Sequence, residues 1–297
     1  MSRPKQHHYV PQVYLRHFCT ISNRNQLYFY DKVSHKTVLT NIKNIAQEKD
    51  FYSDMSKEDS DHYEKYYSSN VEPVLGKLLD HIIARSILNQ TYDAPLLTSE
   101  DRRILSDMLF HQMFRTPNTR AVLHEKADAI MKPFAKQLLK NQDIKNDKEL
   151  RTIAEKYLTM NEDTFKSFAL PLAIDKSEYA QFFSLIDTMI CVICDNQTKQ
   201  GFITSDNPVV VFRELSQEVG LGCAGLGFFD SVIVYPITPC LAVYMVHDDP
   251  LFGAGFKEYE NRKMPVSDKN LILKFNRLQG KQSIRQIYSQ NPFLSIS

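Results

Sequence analysis

The chain has 297 residues, which is enough to bury a substantial core, and we expect one α+β domain over residues 1–297. Its 36 Lys and Arg nearly balance its 35 Asp and Glu, so no overall charge marks nucleic acid or an anionic membrane as an obligatory partner. No apolar run approaches the roughly 18 residues that span a bilayer and no signal peptide opens the chain, which predicts a cytoplasmic protein without membrane association.

The first 58 residues combine a polar opening motif with short strands. Residues 26–31 and 36–40 are rich in β-branched and aromatic side chains and flank a polar turn, which predicts a β-hairpin. A further short strand is predicted at 51–53.

Residues 59–185 are predicted to form a helical block, because apolar residues recur there at spacings of three and four. Thr98 and Asp101 have the spacing of a capping box, and Pro117 would help to stop the helix that they begin. The helical pattern is clearest at 71–88, 104–114, 121–139 and 153–158.

Residues 186–297 return to short apolar runs bounded by Asn, Gly, Pro and Asp, a pattern typical of strands. A helix capped by Ser267 and a strand at 286–288 are predicted near the end. A helical block between two strand-bearing regions predicts the α+β class, with N- and C-terminal strands in a mostly antiparallel or mixed sheet. The apolar runs lie at 189–194, 202–204, 209–212, 232–237 and 241–246.

The cysteines predict reduced thiols, because an odd number in a sizeable chain without a secretory signal does not indicate a disulfide framework. Cys191 and Cys194 form a Cys-x-x-Cys pair, which could serve redox chemistry or half of a zinc site. No second pair completes such a site, and the apolar run around them favours core packing. The five are Cys19, Cys191, Cys194, Cys223 and Cys240.

The adjacent histidines His7 and His8 precede a helix that Pro11 would begin. On extended backbone their side chains point to opposite sides, so one metal or substrate would be contacted by only one of them. In the helix, Gln12 and Arg16 are four residues apart and share a face that could present polar groups. The structural alternative is that the histidines satisfy nearby backbone groups and Arg16 is a surface cation.

A second polar group ends the helix that precedes Pro117. Ile104, Met108, His111 and Arg115 follow one another at spacings of four, three and four, so the apolar face of this helix runs into His111 and Arg115. A buried guanidinium needs a carboxylate, phosphate or carbonyl partner. The alternatives are an internal ion pair and a bound anion held by Arg115 with its neighbour Gln112.

A third polar group, Ser205, Asp206 and Asn207, lies between two predicted strands and before Pro208. An ordinary Asx or Ser turn explains these residue types, because their side chains bond to nearby backbone amides. The functional interpretation places Asp206 at a strand end as a metal ligand or general base.

Several of these segments together resemble the family called domain of unknown function 4238, a mainly bacterial family without an established activity. They are HHYVPQ at 7–12, YLRHF at 14–18, EKDFY at 48–52, FRTP at 114–117 and SDNP at 205–208. A family signature does not reveal whether its purpose is chemistry or folding. The resemblance implies that these positions match the signature: His7, His8, Pro11, Gln12, Arg115 and the turn at 205–207.

Two functional hypotheses follow. In the first, the protein is a metal-dependent, nuclease-like phosphodiester hydrolase, in which His7 or His8 and Asp206 activate water. His8 and Asp206 would bind a divalent metal ion, and nucleic acid or another anionic molecule would be the substrate. The residues expected to bind it are Gln12, Arg16, Gln112, Arg115, Ser205 and Asn207.

In the second hypothesis the protein is a non-catalytic binding or regulatory protein, and the same residues form a structural polar network. The sequence contains no GxSxG elbow, P-loop, Rossmann glycine fingerprint or HExxH motif, so several common chemistries lack support. Whether the protein is an enzyme is therefore left open by the sequence.

Overall fold

The computed structural model describes residues 6–53, 61–140, 147–159, 174, 176–216 and 225–292. These residues form an α+β fold with antiparallel and mixed sheets, as the sequence predicts. No helix among them is both long and apolar enough to cross a membrane.

The helices follow the predicted apolar spacing closely. Thr98 and Asp101 form the predicted capping box at the start of α4, whereas Pro117 begins α5 as well as following the end of α4. Two π-helical turns, Tyr67–Val71 and Ala127–Met131, connect α2 with α3 and α5 with α6. The α-helices are α1 Gln12–Leu15, α2 His62–Tyr66, α3 Glu72–Leu88, α4 Ser99–Phe114, α5 Pro117–Lys126, α6 Lys132–Lys140, α7 Lys148–Leu158, α8 Lys176–Asp187 and α9 Lys269–Gln282.

The strands are β1 Gln6–His8, β2 Gln26–Asp31, β3 Lys36–Asn41, β4 Gln47–Lys49, β5 Ile190–Asn196, β6 Thr204–Ser205, β7 Val210–Arg213, β8 Ser231–Pro236, β9 Leu241–Val246, β10 Lys263–Val266 and β11 Gln286–Ser289. They form three sheets, with orders β10-β5-β9-β8-β7, β3-β2-β11-β6 and β1-β4. The second of these sheets joins the predicted hairpin to β11, which confirms that N- and C-terminal strands share a sheet.

Strands β5, β8 and β9 of the five-stranded sheet are buried on both faces, which explains why they are nearly continuous apolar runs without alternation. Along β5, Cys191 belongs to the hydrophobic core on one face and Cys194 to the core on the other. Burial raises the pKa of Cys191 to about 11 and that of Cys194 to about 12. The two thiols are core residues that point apart, as the apolar context predicts. Cys19 and Cys240 are also free thiols, and Cys223 lies outside the described residues.

Three local predictions are corrected by the structure. Residues 51–53 form no strand; the strand lies at Gln47–Lys49, where pairing with β1 outweighs its polar composition. Helix α9 is capped by Asp268 and not by Ser267, because the Asp268 Oδ1 accepts the Asn270 N–H at 2.8 Å. Strand β10 was not predicted; it pairs in parallel with β5 and carries Pro265 at the sheet edge, where proline is tolerated.

Candidate functional site

His7 is the buried member of the histidine pair. In the antiparallel pairing of β1 with β4, His7 lies opposite Glu48, and neighbouring side chains of the strand project to opposite sides. The His7 Nδ1 accepts a hydrogen bond of 3.0 Å from the Tyr52 backbone N–H. The His7 ring also stacks on the Tyr52 ring at a centroid distance of 5.9 Å. The His7 side chain therefore holds the turn at Tyr52 in place.

His8 is only partly buried and has different contacts. Its Nε2 lies 3.0 Å from the amide nitrogen of Gln12, a contact within the predicted histidine motif. Burial lowers the pKa of His8, and the nearby positive charge of Arg115 lowers it further, while Glu72 and the backbone carbonyls of Ile45 and Ala46 oppose the shift. His8 is therefore a neutral imidazole at neutral pH.

Arg115 is fully buried and forms polar contacts with three other residues. Its Nε donates to the Tyr52 hydroxyl at 2.8 Å, and its Nη2 donates to the His8 carbonyl at 2.7 Å and to Glu72 Oε1 at 2.8 Å. The guanidinium also lies 4.5 Å from the centre of the Tyr67 ring. The predicted internal ion pair is thus present, and its acid is Glu72. We call His8, Tyr52, Tyr67, Glu72 and Arg115 the Arg115 centre.

Burial acts to lower the pKa of Arg115, but Tyr52 and Glu72 outweigh it, so the pKa lies above its ordinary value and the guanidinium is charged. Glu64, on α2, is also near this charge. Burial raises the pKa of Glu64 to about 7; Arg115 opposes that shift, and Glu72 adds to it. The Arg115 centre therefore adjoins a carboxyl group that titrates near neutral pH.

Several buried polar atoms near Arg115 have no hydrogen-bond partner within the described residues. Leaving such atoms unsatisfied costs about 1–3 kcal/mol each, so they are uncommon in a purely structural network. The charge of Arg115 also acts on the pKa values of Tyr67 and Tyr235, which shows that both phenols are close to it. The atoms are His8 Nδ1, Tyr67 Oη, Gln112 Oε1, Arg115 Nη1 and Tyr235 Oη.

The third predicted group, residues 205–207, which we call the SDN turn, lies between β6 and β7. The Asp206 carboxylate accepts the backbone N–H groups of residues 284, 285 and 286 at 3.0, 2.7 and 2.8 Å. Burial raises the pKa of Asp206, and these three amide donors limit the rise. Ser205 Oγ donates to Gln279 Oε1 at 2.7 Å, and Asn207 Nδ2 donates to Gln282 Oε1 at 3.2 Å. The SDN turn therefore joins the sheet to α9 and to the start of β11.

The structure brings His8 and Arg115 together, but no hydrogen bond or ion pair among the described residues joins Asp206 to either of them. Within the same residues, no group of three or more His, Cys, Asp and Glu side chains is arranged to hold a metal ion. The sequence also predicts that His7 or His8, Arg115 and Asp206 line one site; of these residues, His8 and Arg115 are in direct contact, through the His8 carbonyl.

The remaining candidates have separate positions. Gln12 contacts His8, and Gln112 Nε2 donates to the Tyr9 carbonyl at 3.1 Å. Arg16 is exposed and lines a cavity that contains no residue of the Arg115 centre. Both glutamines are thus part of the polar contacts around the N-terminal motif, and Arg16 is not.

Sequence reasoning missed the partners of Arg115: Tyr52, Tyr67, Glu64 and Glu72. Tyr52 belongs to the motif at 48–52, and Glu72 precedes Pro73 in the first turn of a helix. The local sequence could therefore have identified both as candidate site residues. Tyr67 lies at the start of a π-helical turn, a feature often associated with functional sites that apolar spacing does not reveal.

A family model described as "Protein of unknown function (DUF4238)" matches residues 6–293 of the chain. No curated protein and no solved structure matches it.

Proposed function

Because the chain belongs to the DUF4238 family, whose function is unknown, we propose a role from its own geometry. That role is a non-catalytic binding or regulatory protein, in which the polar motifs hold the fold together. The observation that supports it is the use of two candidate catalytic groups in internal hydrogen bonds. Asp206 accepts three backbone N–H groups, and His7 accepts that of Tyr52.

A general base needs a lone pair that faces its substrate, and a metal ligand needs one that faces the metal. If Asp206 or the His7 Nδ1 acted as a base or metal ligand, buried amide donors would lose their acceptors. Each lost hydrogen bond would cost about 1–3 kcal/mol of stability. A structural role leaves these bonds intact. His8 is the one candidate catalytic residue to which this argument does not apply.

The substitution His8→Ala tests the proposal. We expect the wild type to turn over no DNA, RNA or nucleotide substrate in the presence of Mg²⁺, Mn²⁺ or Zn²⁺. We also expect His8→Ala to lower the free energy of unfolding by about 1–3 kcal/mol, because partly buried polar contacts are lost. Substrate assays and thermal melts measure the two effects, with His62→Ala at an exposed position as the control. Turnover that disappears in a fully stable His8→Ala variant would contradict the proposal.

The second candidate is the metal-dependent, nuclease-like phosphodiester hydrolase predicted from the sequence. One observation favours it: the neutral imidazole of His8 and the Glu64 carboxyl group, with a pKa of about 7, lie near the same charged Arg115. A neutral imidazole and a carboxyl group that titrates near neutrality, both beside a cation, suit general acid–base catalysis. If the substrate assays detect turnover, its loss in Glu64→Gln would assign the reaction to this group.

We further propose that the protein works in a reducing compartment, the cytoplasm. The free thiols Cys19, Cys191, Cys194 and Cys240 support this location. Thiol titration of freshly purified, denatured protein should find every cysteine reduced, and two missing thiols would contradict the proposal.

A further inference from the structure

A cavity of about 520 Å³ lies between the first helical turns of the chain and α3. No residue of the Arg115 centre or of the SDN turn lines it. Sites that hold small molecules measure roughly 300–1,000 Å³, so its size suits a single small ligand. Its lining includes apolar groups from both helices and two arginines from the N-terminal segment.

The charged residues that line this cavity include two arginines and one aspartate. Arg16 and Arg24 are exposed, and neither forms an ion pair with any described residue. Asp80 is the acidic residue of the lining; its side chain is 75% exposed and lies 3.9 Å from His17. Burial lowers the pKa of His17, so the imidazole adds no charge at neutral pH. The cavity therefore carries a net positive charge.

A larger cavity, of about 780 Å³, provides the contrast. Its Arg120 lies 3.3 Å from Glu48 and stacks over the Phe51 ring at 3.5 Å, so this cation already has partners. Its Asp128 is likewise paired, with Lys132 at 2.6 Å. The arginine of the larger cavity is thus paired, and the lining also contains the carboxylates Glu48, Glu125 and Asp128, so this cavity suits an anion poorly.

Beside the arginines, the 520 Å³ cavity has an apolar wall of Val13, Gly76 and Ile83. Gly76 has no side chain to fill the space, and a Cβ at this position would lie 3.6 Å from Val13. A cavity lined by apolar residues and two exposed cations matches a ligand that has an apolar body and an anionic group.

We infer that the Arg16–Arg24 cavity is a binding site for a small organic anion, in which the guanidinium groups contact a phosphate or carboxylate and the apolar wall contacts the body of the ligand. A cavity of this size holds one small molecule and offers no extended surface to a polymer. The inference names a ligand class for the proposed binding function and rests on that function.

Isothermal titration calorimetry with three probes at low ionic strength tests the inference. Phenyl phosphate has both required parts, inorganic phosphate has only the anion, and benzyl alcohol has only the apolar body. We expect phenyl phosphate to bind at least about tenfold more tightly than either of the others, because it alone uses both surfaces. Absence of phenyl phosphate binding, or equal affinity for all three probes, would overturn the inference.

The double variant Arg16→Gln/Arg24→Gln should weaken phenyl phosphate binding about tenfold or more. It should keep the wild-type melting temperature, because both side chains are exposed and neither forms an ion pair with a described residue. The control Arg103→Gln/Arg277→Gln removes the same charge from exposed positions outside the cavity. Equal weakening in the control would overturn the inference, since the effect would then be one of overall charge. Arg16→Lys/Arg24→Lys should restore part of the affinity.

The non-catalytic proposal and the anion-site inference can each be contradicted without contradicting the other. Turnover that depends on His8, combined with arginine-dependent phenyl phosphate binding, would remove the non-catalytic proposal and keep the cavity as an anion site. A protein with neither turnover nor phenyl phosphate binding would keep the non-catalytic proposal and remove the cavity from it.

Discussion

The Arg115 centre and the SDN turn are both built from buried polar side chains, yet they differ in how completely these are hydrogen-bonded. Both carboxylate oxygens of Asp206 accept backbone amides, and Ser205 and Asn207 contact α9. At the Arg115 centre, by contrast, Arg115 Nη1 and Tyr67 Oη have no partner within the described residues. A saturated network stabilises one conformation, whereas unsatisfied atoms remain able to bond to something else.

The chemistry of the partners explains this difference. Asp206 faces three consecutive backbone amides, which occupy three of the roughly four acceptor sites of a carboxylate. Arg115 has five N–H donors in a rigid fork, and its neighbours include aromatic rings, which accept hydrogen bonds only weakly. The comparison therefore predicts that substitutions in the two regions have different costs.

The largest effect is expected at the SDN turn. Asp206→Ala removes the acceptor of three backbone amides and should lower the free energy of unfolding by on the order of 3–5 kcal/mol. Urea denaturation followed by circular dichroism measures it, with the exposed Asp93→Ala as the control. A loss below about 1 kcal/mol would mean that the turn is not structural and would return Asp206 to the list of functional candidates.

A smaller change in stability should distinguish a buried tyrosine whose hydroxyl is hydrogen-bonded from one whose hydroxyl is not. The Tyr14 hydroxyl contacts Thr204 Oγ1 at 2.7 Å and donates to the Pro236 carbonyl at 2.8 Å, so Tyr14→Phe should cost about 1–2 kcal/mol. Tyr67 is equally buried, but Tyr67→Phe removes a buried hydroxyl without a partner among the described residues, so it should not lower the free energy of unfolding and should raise it by about 1 kcal/mol or more. The same denaturation experiment compares them, and equal losses would show that the Tyr67 hydroxyl is engaged.

Local pattern predicted much of this fold. Apolar spacing predicts α3 and α4, and strand composition predicts the hairpin and most of the five-stranded sheet. The spacing of Thr98 and Asp101 predicts the capping box that the structure contains. These features depend on residues close together in the sequence. The strands that were missed, β1, β4 and β10, are short and polar or sit at a sheet edge, so tertiary pairing and not composition determines them.

The candidate site was predictable only in part, for a related reason. The burial of Arg115 and its need for an acid followed from the helix face, but the identity of that acid, Glu72, depends on how α3 packs against α4. Likewise, the residue types of the SDN turn indicated bonds to backbone amides, yet the amides that Asp206 contacts lie 78 to 80 residues away. The residue types in the sequence thus indicate which side chains need partners, and the tertiary fold determines which residues those partners are.

The smallest effect concerns Glu64, whose environment makes the Arg115 centre sensitive to pH. Because its pKa is raised from 4.5 to about 7 by burial, the folded protein binds a proton between those pH values that the unfolded chain has released. This group therefore makes stability fall as pH rises from about 4.5 to about 7. Glu64→Gln removes that dependence, so the melting temperature of the variant relative to wild type should increase between about pH 5 and about pH 8.

Thermal melts at both pH values measure this difference, with Glu258→Gln as the control for the loss of an exposed carboxylate. The other groups that act on Glu64 are Arg115, Glu72 and Asp61, and all three remain in the variant. Because these three groups are the same in both proteins, the difference between the two melting temperatures isolates the proton on Glu64. A difference that stays constant with pH, or falls as pH rises, would show that Glu64 is ionised in the folded protein and would leave the SDN turn and the Arg115 centre distinguished by hydrogen bonding alone.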